Sequence, residues 1–91
     1  MDDGHASSRR PRKADDLEVN EVVDGYVVYQ PALDRVHYLN RTAVIVLELC
    51  TGDNDAAAIA AFVQDAFDLP EQPTVEVGAC LGQLQHEQLV G

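Results

Sequence analysis

Arg35 and Arg41 are the only basic side chains after Lys13, and they bracket Val36-His37-Tyr38-Leu39, a short apolar and aromatic run. A guanidinium presents a planar fork of N–H donors that matches a carboxylate. Two of them flanking one extended segment suit the recognition of acidic groups on a ligand. The alternative is that they only neutralise Asp34 and Glu48 in the same chain, and exposed pairs of that kind contribute little. The sequence leaves both readings open.

The remaining chemistry-bearing residues do not assemble into a reactive set. Ser7 and Ser8 stand in a polar leader with no nucleophile elbow around them. His37 has no acid–base partner near it in sequence. Cys50 and Cys80, even with His37 and His86, lack the paired spacing of a zinc site. There is no HExxH pair and no glycine-rich phosphate loop. No enzymatic activity, cofactor or metal is therefore expected. The two cysteines, one per helix, read as reduced core hydrophobes; a disulfide joining their helices stays open.

The elements that must position the arginine-framed run follow from pattern. Residues 26–30 and 35–39 are rich in β-branched and aromatic side chains, which suit strands. Residues 17–23 alternate loosely and make a first strand. Asp24-Gly25 is a hairpin signal, because both residues tolerate positive φ, and Pro31-Ala32-Leu33-Asp34 makes the second turn. At Asn40 the period changes from two to about 3.6. Asn40 is placed to cap a helix over 41–50, with Gly52 as its left-handed terminator. In that helix Ala43, Val46, Leu47 and Cys50 share a face, broadened by Ile45 and Leu49. Asp55 caps a second helix over 56–67, with Ile59, Phe62, Val63, Ala66 and Phe67 as its apolar stripe. A third helix spans 73–87, Pro73 suiting its first position, with Val77, Cys80, Leu81 and Leu84 inward and Leu89-Val90 closing the core. The expected fold is α+β: a three-stranded antiparallel meander followed by three helices, βββααα.

Charge divides the chain. Residues 1–13 carry Arg9, Arg10, Arg12 and Lys13 against Asp2 and Asp3, a net +2, while Ala14 onward is −12, together the −10 of the whole. Residues 1–16 read as a disordered polar tail and 17–91 as one domain. A body of −12 repels phosphate backbones, so nucleic-acid binding is not expected of it. No apolar run is long enough to span a membrane, and no apolar stretch follows the N-terminal basic residues as in a signal peptide; a cytoplasmic protein is expected.

A last strand in a meander is an edge, and residues 35–39 hold neither proline nor lysine to blunt it. Strand addition by a peptide is the standard use of such an edge. Asp24-Gly25-Tyr26-Val27-Val28-Tyr29, then Val36-His37-Tyr38-Leu39-Asn40, Thr42-Ala43 and Leu49-Cys50-Thr51-Gly52, resembles the PqqD family, small peptide chaperones also called RiPP recognition elements. The resemblance runs over about residues 17–90, with two departures. Gln88 stands where the family often has glycine, and Gly78 and Gly82 interrupt the final helix.

The resemblance implies a winged-helix-like form of this fold, with the sheet ahead of the three helices. It implies binding of the leader segment of a ribosomally made precursor peptide, as an added strand beside the third strand and against the third helix. It implies delivery to a modifying enzyme such as a radical-SAM enzyme, a cyclodehydratase or a leader peptidase. The expected peptide-binding residues are Arg35, Val36, His37, Tyr38, Leu39 and Arg41 on one wall. Val77, Gly78, Leu81, Gly82 and Gln85 form the other. The competing readings are a winged-helix DNA-binding regulator, which the charge disfavours, and a docking subunit of a biosynthetic enzyme with no peptide ligand.

Overall fold

A computed structural model describes residues 10–91. The first nine positions of the expected tail, Ser7, Ser8 and Arg9 among them, lie outside the described residues. The order is β1 (Glu18–Val22), β2 (Gly25–Gln30), β3 (Arg35–Leu39), α1 (Arg41–Leu49), α2 (Ala56–Ala66) and α3 (Thr74–His86). The strands form one antiparallel sheet in the order β1-β2-β3. This is the expected α+β arrangement, βββααα.

Local chemistry sets the junctions. Val22 pairs with Gly25, so the hairpin loop is Val23-Asp24 rather than Asp24-Gly25. Gly25 is needed for a different reason: its φ is 158°, and a Cβ there would stand 2.7 Å from the Leu39 carbonyl oxygen. A 3-10 turn, Pro31–Leu33, joins β2 to β3, with Asp34 left-handed at φ 51°. Asn40 Oδ1 accepts from the Ala43 N–H at 2.8 Å, and Asp55 Oδ1 from the Ala58 N–H at 2.9 Å, so both expected caps form. Gly52 is left-handed at φ 91°, but α1 stops at Leu49, so it lies beyond the cap residue Cys50. Asn54 Nδ2 meets the freed Leu49 carbonyl at 2.9 Å.

The core lies between the sheet and the three helices. Val28 is its deepest strand residue, packed with Val46, Leu47, Ile59, Val63, Val77, Leu84 and Leu89. Burying each such side chain contributes about 1.5–3 kcal/mol. Two stripes differ from the sequence reading. In α1 the buried positions are Val44, Val46 and Leu47, with Ala43 only half-buried. In α2 they are Ile59, Ala60 and Val63, while Phe62 is 52% exposed and Ala66 is on the surface. Alanine-rich sequence hides this rotation, because the small residues could sit on either side.

The tail is shorter than expected, since residues 11–14 are tied into the fold. The Arg12 and Gly91 backbones exchange hydrogen bonds of 3.1 and 2.9 Å. The Lys13 N–H donates to the Cys50 carbonyl at 2.7 Å, and the Ala14 N–H to that of Leu89 at 2.8 Å. This strap runs between the end of α1 and the C-terminal residues, with Pro11 buried and Lys13 Nζ 2.9 Å from Glu48 Oε1. The C-terminal turn that accepts it is a Schellman motif, with the Leu89 N–H on the Leu84 carbonyl and the Gln88 N–H on that of Gln85. Gln88 occupies the left-handed position, at φ 63°, without being glycine.

Candidate functional site

β3 is an open edge, and its alternation divides its residues by role. A two-residue hairpin closes on a hydrogen-bonded pair, so Val22 and Gly25 bond to each other. Alternation from there gives β2 its bonds to β3 at Tyr26, Val28 and Gln30, opposite Leu39, His37 and Arg35. Val36 and Tyr38 therefore turn their N–H and C=O groups out of the sheet. Their side chains stand on the face away from the helices, 55% and 79% exposed. His37 and Leu39 point inward and are half-buried.

A chain of polar contacts ties this edge to the end of α3. Gln30 is a buried polar side chain, 4% exposed, and an unpaired amide there would cost about 1–3 kcal/mol. Its Nε2 donates to the Gln88 carbonyl at 2.8 Å, which leaves Oε1 to accept from His37 Nε2 at 2.9 Å. His37 Nδ1 then faces Glu87 Oε1 at 3.4 Å. Glu87 is steadied by Gln83, whose Nε2 donates to Oε2 at 2.9 Å. A strand edge and a helix end are thus brought side by side through His37, Gln30, Glu87 and Gln88. Of these, sequence reasoning placed only His37 in the site; Gln88 was noted only as a departure from the family's glycine. A glutamine does not itself announce the αL turn that aims its carbonyl at Gln30.

The expected second wall is distributed differently. Val77 and Leu81 lie in the core, 1% and 8% exposed. Gly78, Gly82 and Gln85 are exposed, and a Cβ at either glycine would meet nothing within 4 Å. With 3.6 residues per turn, these three lie roughly half a turn round α3 from Glu87. Gln85 instead borders the strap residues Arg12–Asp15. Glu76, Cys80, Gln83 and Glu87 share another face, whose last member, Glu87, faces His37 on β3. Cys80 is free, half-buried on that face, and its thiol pKa is raised by burial. Cys50 is free too, and its pKa is pushed up to about 11, first by burial and then by nearby Cys80.

The two arginines are not engaged by the carboxylates near them in sequence. Glu48 pairs with Lys13, and Asp34 accepts from the Tyr29 hydroxyl at 3.3 Å. Arg41 lies over the Phe67 ring, 5.4 Å from its centroid, and Arg35 is exposed. Among the described residues neither has a carboxylate within ion-pair distance. Among the described residues the edge therefore has a cation without a carboxylate partner at each end, outward backbone groups between them and the end of α3 alongside. Such a site can hold an extended chain.

Residues 25–90, 66 of the 91, match the family model described as Coenzyme PQQ synthesis protein D (PqqD). No curated protein and no solved structure matches the chain.

Proposed function

We propose, because this chain belongs to the PqqD family, that it binds the leader segment of a ribosomally made precursor peptide and delivers it to a modifying enzyme in the cytoplasm, without chemistry of its own. Membership implies a peptide-binding accessory in a biosynthetic system. The added strand runs along β3, bonding to the outward N–H and C=O groups of Val36 and Tyr38. Arg35 and Arg41 receive acidic side chains of the leader. The other wall is the α3 face of Cys80, Gln83 and Glu87, with Val77 and Leu81 supporting it from the core. Gly78, Gly82 and Gln85 have the weaker claim to contact, since they lie on the opposite flank.

The observation that carries this reading is the unblunted β3 edge, with a cation at each end that has no carboxylate partner among the described residues, and the end of α3 fixed beside it. Its test is an NMR titration of the labelled full chain with the leader of the precursor encoded beside it. Shifts concentrated at residues 35–39 and 80–87, with micromolar affinity (about −8 kcal/mol), are expected. No shift with any neighbouring short peptide would leave a docking subunit without a peptide ligand as the better reading.

A further inference from the structure

The sheet has two faces, and the helices cover one of them. Along β2, Val28 and Gln30 are buried toward the helices while Val27 and Tyr29 alternate to the other side. The strand registers carry that outer face across the sheet. Tyr29 lies beside Val36 and Val27 beside Tyr38, and Val22 lies beside Gly25 at the hairpin end. The last row borders a notch of about 480 Å³ whose lining includes Val22, Val23, Gly25, Tyr26, Tyr38 and Leu39. Val23, in the hairpin loop, is fully exposed.

Size and charge narrow what can sit there. Three strands of about five residues cover roughly 17 by 14 Å, or about 240 Å². A stable interface takes about 800 Å² from each partner, so this patch fits the centre of a transient contact rather than a permanent dimer. Arg41 reaches the hairpin end beside Val22 and Val23, and Asp24 lies at the notch. The other charged groups beside the face are carboxylates, Glu18 in the Tyr29 row and Asp34 bonded to the Tyr29 hydroxyl. They raise the Tyr29 pKa, Asp34 most and Glu18 last. A second copy would set Glu18 and Asp34, on a body of −12, against the same charges. The complementary surface is apolar at its centre and basic at its rim.

We propose that this outer face docks such a surface on the peptide-modifying enzyme, and does so while the leader is bound. The identity of the partner rests on the delivery reading above; the shape and charge of the surface do not. A leader strand added to β3 widens the sheet and sends every second side chain onto this same face, next to Val36 and Tyr38. An enzyme seated on the face meets those side chains directly, and the leader need not leave the domain for the two to touch.

The test uses the full chain, the leader peptide and the modifying enzyme encoded beside it. The double variant Glu18→Lys, Val27→Thr changes the face on β1 and β2, away from the leader edge, and keeps a β-branched residue at the central position. Its affinity for the enzyme should fall at least tenfold, with leader affinity within twofold of the wild type. Should that variant unfold, Val23→Lys in the hairpin loop asks the same question and should weaken binding of the enzyme by threefold or more. Undiminished enzyme binding by a folded variant overturns the proposal. So does wild-type self-association in sedimentation that the variant abolishes, which would make the face a contact between copies. A wild-type chain that binds the enzyme but no leader would end the delivery reading and leave the docking surface standing.

Discussion

The two free edges of the sheet offer the same backbone with opposite charge. β1 turns out the N–H and C=O groups of Val19 and Glu21, as β3 turns out those of Val36 and Tyr38. Neither strand contains proline. Yet β1 carries Glu18 and Glu21 with no cation, whereas β3 begins with Arg35, is followed by Arg41 and carries no carboxylate. An exposed charge pair contributes up to about 1 kcal/mol, attractive at one edge and repulsive at the other. That is enough to send an acidic strand to one edge and away from the other. The open backbone makes an edge usable, and the side chains around it choose which edge is used.

The sharpest way to break this comparison is to block each edge in turn. Tyr38→Pro replaces an outward N–H by a ring and leaves the pairing with β2 intact. Leader affinity should fall at least tenfold, about 1.4 kcal/mol, with the fold retained by circular dichroism. Glu21→Pro does the same to β1 and should leave leader affinity where it was. Equal losses would erase the distinction between the edges.

Charge comes next in size. Arg35→Gln with Arg41→Gln should weaken leader binding about fivefold at low salt and flatten its salt dependence. Unchanged affinity would remove the arginines from the site. Arg41→Gln also loses the contact over Phe67, about 0.5–1 kcal/mol, so Arg35→Gln alone is the cleaner arm. A matching change at β1, Glu18→Gln with Glu21→Gln, should have no effect on the leader.

The comparison extends to the two flanks of α3. Gly82→Ala fills open space on the flank away from β3 and should stabilise the domain by about 1 kcal/mol in urea unfolding, with leader affinity unchanged. A loss of affinity would bring that flank into the site. The smallest effect is read on Tyr29, which lies on β2 between the edges and whose pKa is raised by carboxylates from both sides. Asp34→Asn should lower it more than Glu18→Gln, in a spectroscopic titration of the phenol. A raised pKa means that the stability Tyr29 contributes is full below its unfolded value near 10 and is lost as pH rises through the folded value.

Much of this arrangement was legible in the residues. Asn40 and Asp55 announced their helices, and the run from Val36 to Leu39 announced an edge. What escaped the sequence was held by groups it does not display. The strap at residues 11–14 is fixed mainly through backbone hydrogen bonds, so its polar side chains read as a loose tail. Periodicity grouped Gly78, Gly82 and Gln85 on one side of α3. It carried no information on which neighbour that side meets, and here Gln85 meets the strap. Gln30 looked like the end of a strand, and only the left-handed turn at Gln88 gives its buried amide an acceptor.

The strap has a consequence for how the chain can be rewired. Because Arg12 and Gly91 bond to each other, the first and last described parts of the polypeptide leave the body at one point. A short linker from the last residue back to the start of the strap would join them with little distortion, and a new opening could be cut at the exposed Val23-Asp24 loop. Such a circular permutant keeps every strand and helix in place. The same closeness lets the domain be spliced into a surface loop of another protein, with both junctions together at the strap.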